Sequence, residues 1–242
     1  MQDWLDGQKR QFILNFIADD RWRFLWNGLG VTLRVTFCAL LIGVAVGVCV
    51  SIVRSTYDKG ILTNKNGLGY SVLWLLNKIC KIYLTVIRGT PVVVQLMIFY
   101  FIILTSVKSG VLIAIIAFGF NTGAYIAEIF RSGIMSIENG QFEAGRSLGF
   151  NYIQTMRYIV IPQAFRNILP TLANEFIVLL KETAVVGYVA VQDLTKGGDI
   201  IRGRTFSPFM PLIAVALVYL TLVLFFTRLV GRLERRLRRS EH

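Results

Sequence analysis

One histidine, three cysteines and five prolines are all this 242-residue chain holds of those types, and only 17% of its residues are charged. A single histidine leaves general acid–base catalysis without its usual agent. The cysteines show no metal-ligand spacing and their number is odd, which excludes a zinc framework and a disulfide scaffold; Cys38, Cys49 and Cys80 read as reduced packing residues, and no metal site is expected. Acid is scarce as well: 14 Asp and Glu stand against 26 Lys and Arg, for a net charge of +12. That surplus sits in short runs beside apolar stretches, not on one basic face with interleaved aromatics, so nucleic acid is not an expected partner. Residues 1–23 lack an apolar h-region followed by a small-residue cleavage site, and the first span is expected to direct insertion itself.

What the chain does have is apolar length. It is 55% hydrophobic, with a mean hydropathy of +0.60, well above a water-soluble domain. A hydrocarbon core about 30 Å thick takes about 20 apolar residues as a helix. Uncharged stretches of 19 residues run over 35–53, 89–107 and 109–127, and one of 23 residues over 205–227. A fifth apolar stretch is interrupted by Glu175, Lys181 and Glu182. The expectation is an all-α polytopic membrane protein, one domain over 1–242, with about five transmembrane helices near 24–53, 89–107, 109–130, 165–191 and 205–230. Segment 70–87 carries Lys78 and Lys81 close together and reads as an interfacial amphipathic helix feeding the second span. Gly43 and Gly47, four apart, permit close helix approach, and packing within the chain is preferred over dimerisation.

Lys and Arg fall unevenly about these spans. The segments 54–88 (Lys65 among them), 131–166 and the tail after 227 together hold sixteen, against eight on the opposite side. Positive charge accumulates on the cytoplasmic side, so the N-terminus is expected outside and the C-terminus in the cytoplasm. Arg34, near the outer end of the first span, reads as a snorkelling residue. Arg232–Arg239 reads as a helix end among lipid headgroups, and the terminal His242 has no assigned role.

The segment 129–166 is too long and polar for a turn between neighbouring helices. It reads Glu143-Ala144-Gly145, three residues, Gly149, nine residues, then Ile159-Val160-Ile161-Pro162. Small residues at 144 and 145 let a short helix approach another surface, Glu143 offers a carboxylate, Gly149 permits the reversal that ends the helix, and Pro162 fits a helix start. The pattern resembles the Glu-Ala-Ala loop of the membrane subunits of ABC importers, with Gly145 for the second Ala and Ile161 for Leu. Three further strings, Arg88-Gly89-Thr90-Pro91, Ala124-Tyr125-Ile126-Ala127-Glu128-Ile129-Phe130-Arg131 and Asn174-Glu175-Phe176, resemble the polar amino-acid uptake branch of that family.

The resemblance implies a type I importer fold, placed in a bacterial plasma (inner) membrane. It implies a permease working with a second membrane subunit, a cytoplasmic ABC ATPase dimer and an extracytoplasmic amino-acid-binding protein. No Gly-x4-Gly-Lys-[Ser/Thr] loop is present, so ATP and Mg belong to the ATPase and none is expected on this chain. A helix over about 136–149, within a cytoplasmic loop 131–164, is implied to dock on the ATPase through Glu143, Ala144, Gly145 and Gly149.

The transport path should carry what lipid will not tolerate, since a charge at a helix centre costs about 2.5–3.5 kcal/mol on insertion scales. Glu182 with Thr183 would receive a substrate ammonium, Gln95, Asn121 and Asn174 would supply neutral hydrogen bonds, and Glu175 lies a helical repeat from Glu182 on roughly the same face. Two other classes compete. A stand-alone secondary transporter could use Glu182 as a proton carrier but leaves the docking loop unexplained; a membrane enzyme would need a catalytic cluster the sequence does not offer.

Overall fold

The computed structural model describes residues 2–59 and 67–239, so Lys65 and His242 lie outside the described residues. Ten α-helices follow one another among them: α1 Gln2–Phe12, α2 Trp22–Asp58, α3 Leu68–Gly89, α4 Val92–Ile98, α5 Gly110–Met135, α6 Asn139–Ser147, α7 Tyr152–Thr155, α8 Ile161–Glu182, α9 Leu194–Thr205 and α10 Phe209–Arg239. The described residues contain no strand. Wide π turns extend α1 over Ile13–Ile17 and α4 over Phe99–Ile103, and a third, Met156–Val160, joins α7 to α8.

The chain divides into two compact units. One takes Met1–Ala39, Val92–Phe118 and Ile177–Leu229; the other takes Leu40–Pro91, Gly119–Phe176 and Val230–His242. In the first, Thr32 accepts a hydrogen bond from the Leu194 amide at 3.1 Å, while the buried Asp193 caps α9 by accepting from the Thr195 and Lys196 amides at 3.1 and 2.9 Å. The carboxylate fills donors that a helix start leaves open. In the second, the glycine pair lies against α5: a Cβ at Gly43 would stand 3.2 Å from Thr122, and one at Gly47 2.6 Å from Ile126. The close approach is therefore made within the chain.

Four of the helices are long and apolar enough to cross a membrane by length and composition: Trp22–Asp58, Leu68–Gly89, Gly110–Met135 and Phe209–Arg236. Leu68–Gly89 contains the segment 70–87 expected at the interface, and Lys78 and Lys81 are its only charges before Arg88. The stretch 89–107 is not one long helix. It breaks at Thr90-Pro91, where proline disfavours helical geometry in the preceding residue, and resumes as the shorter Val92–Ile103. Of the 165–191 stretch, α8 takes the residues up to Glu182 and a 3-10 helix, Thr183–Val189, follows; α8 carries Pro170, Glu175, Lys181 and Glu182 and is not among those four.

The loop is more helical than expected. α5 runs on to Met135, the helix expected over about 136–149 is Asn139–Ser147, and from Tyr152 to Glu182 the chain is helical without a break. Pro162 is the second residue of α8, at the helix start expected for it, and the π turn runs directly into it. It cannot donate to the Tyr158 carbonyl and its ring crowds that carbonyl, and the π turn Met156–Val160 accommodates the mismatch.

Candidate coupling and transport site

The short helix α6 is held by one face and open on the other. Phe142 is buried with Ile137, Val160, Ala164 and Ile168, and Lys59 at the end of α2 places its ammonium 4.2 Å from the Phe142 ring centre. Gly145 is buried too: a Cβ there would stand 2.7 Å from both Cγ2 and Oγ1 of Thr155. Glu143, Ala144, Arg146 and Leu148 are exposed. The four predicted docking residues therefore separate by role, with Glu143 and Ala144 on the open face and Gly145 seating the helix.

Gly149 ends α6. Its φ of +79° is a left-handed conformation that costs a residue with a Cβ about 1–2 kcal/mol. The Gly149 amide donates to the Arg146 carbonyl at 2.9 Å and the Phe150 amide to the Gly145 carbonyl at 3.0 Å, the two bonds of a Schellman closure. Asn151 then opens α7 with a reciprocal capping box: its side chain accepts from the Gln154 amide, and Gln154 Oε1 accepts from the Asn151 amide, both at 2.9 Å. The strict spacing from Glu143 to Gly149 is thus the spacing of one stopped helix.

Beside this helix, in the same unit, α5 ends in an ion-pair cluster. Arg131 pairs with Glu128 at 2.9 Å and with Asp58 of α2 at 3.7 Å; Arg54 reaches Asp58 at 3.9 Å and donates to Asn77 Oδ1 at 3.0 Å. Glu128 is thus bonded to Arg131, while Arg88 lies over the Tyr125 ring, 5.6 Å from its centre. Arg88, Tyr125, Glu128 and Arg131 border a cavity of about 680 Å³, lined also by Asn167, Thr171 and Glu175 among others. It places both charge signs around a space large enough for a small zwitterion.

The predicted path residues are shared between the two units. Asn121 is buried on α5, Asn174 is exposed, and Glu175 is half-buried on the cavity wall. Gln95, Glu182 and Thr183 belong to the other unit, where Gln95 is buried and Glu182 half-buried at the end of α8. Thr183 is fully buried, and its hydroxyl donates to the Leu180 carbonyl at 2.9 Å and stands 3.5 Å from the Thr36 hydroxyl. Both of these bonds are internal to that unit. Sequence reasoning missed Asn167 and Thr171, which share the cavity wall with Glu175. Their signal was present: polar residues at 167, 171 and 175 recur every four along a helix and so mark one face. Among the described residues no group of three or more His, Cys, Asp or Glu could hold a metal ion.

Residues 60–239 match the family described as the binding-protein-dependent transport system inner membrane component. The chain is 33% identical over 217 residues to the putative glutamine transport system permease protein GlnP of Rickettsia typhi, covering 88% of this chain and 93% of that one. It is 34% identical over 222 residues to the arginine transport system permease protein ArtQ of Bacillus subtilis, covering 90% and 94%. A crystal structure of an amino acid ABC transporter with histidines superimposes with a TM-score of 0.77 at 38% identity, covering 88% of this chain and 94% of that one. The chain belongs to the family of binding-protein-dependent transport system inner membrane components. Within it, the chain is a transmembrane subunit of an ABC importer with the all-helical type I permease fold.

Proposed function

We propose that this permease carries a polar amino acid across a bacterial inner membrane, driven by ATP hydrolysed on a separate cytoplasmic ABC ATPase dimer. A second membrane subunit completes the path and an extracytoplasmic binding protein delivers the substrate. The observation that carries this reading is α6, a stopped helix whose buried face is Phe142 and Gly145 and whose open face presents Glu143 and Ala144. Such a helix is a rigid ledge: closure of the ATPase against Glu143 would move Phe142, and with it the core that includes Val160 and Ile168. The names of the similar permeases and the histidine-bearing transporter support an amino-acid cargo.

Five crossings, with the N-terminus outside and the C-terminus inside, remain the preferred topology. Thr205 donates to Asn15 Oδ1 at 2.8 Å, which supports placing the starts of α2 and α10 at one membrane surface. An even number of crossings must then separate them, as when α3 and Val92–Ile103 share a single crossing. Glu175 and Glu182 are the groups assigned to the path, with Gln95, Asn121 and Asn174 as neutral partners. Thr183 supports the end of α8 from behind.

The test is reconstitution of this chain with its ATPase and binding protein in liposomes, with uptake of glutamine, arginine and histidine followed. Uptake that requires ATP and falls in Glu175→Gln or Glu182→Gln at equal assembly is the expected result. Uptake by this chain alone, driven by a proton gradient, would replace the importer reading with the secondary-transporter one.

A further inference from the structure

The N-terminal arm, α1 with the π turn Ile13–Ile17, is fixed to the protein through that turn. Asn15 is fully buried: its Oδ1 accepts from Thr205 at 2.8 Å, and its amide group donates to the Gln11 carbonyl at 2.8 Å and reaches the Ser207 hydroxyl at 3.4 Å. Phe16 is buried beside it. The chain then reverses sharply, with Asp19 and Asp20 both at φ 53°, and Arg21 locks the turn by donating to the Leu14 carbonyl at 2.5 Å and to Asp19 at 2.6 Å. A reversal made with two left-handed aspartates and sealed by an arginine holds the arm against the α9–α10 corner.

The opposite side of the arm is apolar and open. Phe12, Ile13, Leu14 and Ile17 are 40–56% exposed, and beyond the turn Trp22 and Trp26 are exposed as well, Trp26 by 67%. On α2 the exposed Trp22, Trp26 and Phe37 fall at positions that share a helical face, so the open face of the arm runs into the outward face of a helix long and apolar enough to span. Lys9 and Arg10, both exposed, precede this surface. Apolar side chains with tryptophans at one edge and basic residues at the other are the composition of a segment lying at the boundary between headgroups and acyl chains.

We propose that the arm is an interfacial anchor whose face of Phe12, Ile13, Ile17, Trp22 and Trp26 lies in the phospholipid headgroup–acyl boundary, at the surface where α2 and α10 begin. The occupant is the bilayer itself, because the patch is continuous with a lipid-facing helix of this inner membrane family. Through Asn15 the anchor holds the corner Thr205–Ser207, and hence the start of α10, at that depth.

The experiment uses the assembled transporter in nanodiscs of phosphatidylethanolamine and phosphatidylglycerol, with Cys38, Cys49 and Cys80 replaced by serine and single nitroxide labels at positions 13, 17 or 26. Collision with oxygen, which partitions into lipid, is compared with collision with a water-soluble nickel chelate. Labels at Glu138, on the exposed loop and read before the ATPase is added, and at Leu220, exposed on α10, give the aqueous and lipid references. The labels at 13, 17 and 26 should show an oxygen-to-nickel ratio several-fold above that at 138 and approaching that at 220. A ratio like that at 138 places the arm in water and overturns the proposal. Protection from both reagents means that a second protein covers the face, and overturns it equally. If one substituted chain fails to assemble, the other two positions decide.

Discussion

Replacing Gly145 by alanine tests whether α6 is seated as rigidly as its geometry requires. The new Cβ would stand 2.7 Å from both branches of Thr155 and 3.2 Å from its Cβ. Thr155 is almost fully buried, is β-branched, and donates its hydroxyl to the Asn151 carbonyl at 3.1 Å, so it has little freedom to move aside. Overpacking of this kind costs about 1–3 kcal/mol, offset by the roughly 0.5–1 kcal/mol that alanine gains over glycine inside a helix. The net expectation is a destabilisation of about 0.5–2 kcal/mol, expressed as a displaced α6. Thr155→Ala alone loses its hydrogen bond, about 0.5–1.5 kcal/mol, but removes both clashing atoms. The double variant should therefore be less destabilised than the sum of the two singles, by about 1 kcal/mol or more. Thermal unfolding of the assembled transporter measures the stability, and ATP hydrolysed per substrate imported measures the seating. Gly145→Ala should raise that ratio several-fold and the double variant should lower it again. A Gly145→Ala transporter equal to wild type in both readouts, with a purely additive cycle, would refute the close seating of α6 on α7.

Other perturbations have definite outcomes. Gly149→Ala forces a Cβ into the left-handed region at a cost of about 1 kcal/mol, and limited proteolysis between α6 and α7 should accelerate. Asp193→Ala removes the cap of α9 from a buried position and should lower transporter stability by about 0.5–2 kcal/mol, read as an earlier thermal transition. Lys196 and Arg202, bonded to Asp199, hold its carboxyl below the ordinary carboxylate range. Because that value is depressed on folding, the stability this trio gives α9 is present above the ordinary carboxylate range and is lost as pH falls through the lowered value. Expressed relative to the same cysteine in an Asp199→Asn chain, which cancels the loss of thiolate with pH, labelling of a cysteine placed at Gly203 should therefore rise on acidification; a ratio that stays flat would refute it.

Legibility in the sequence followed the range of the interactions involved. The turn from Glu143 to Gly149 was readable because it is local: a helix, its left-handed stop and the next helix's cap all fall within about a dozen residues. The apolar runs that became α2, α5 and α10 were readable for the same reason. The burial of Thr183 was not readable, because a threonine beside Glu182 carries no mark of it and only the fold brings Thr36 within reach. The cavity was half-legible. Glu175 stood out as a charge in an apolar helix, whereas Arg88 and Arg131, each at a helix end, gained their place only when α3, α5 and α8 came together. The extent of α3 was hidden by two lysines that a 22-residue helix absorbs, and the unbroken join of α7 to α8 by a π turn that no residue pattern announces.

The account stands most directly on the contact between α6 and the ATPase. This chain, co-expressed with its cognate ABC ATPase and solubilised from membranes, should bring the ATPase through purification. Glu143→Lys reverses the charge on the exposed face without touching Phe142 or Gly145, and should release the ATPase from a chain that is still folded and still in the membrane. Copurification lost in that variant is the predicted result; a permease that purifies alone, or an ATPase held equally well with lysine at 143, would contradict the account.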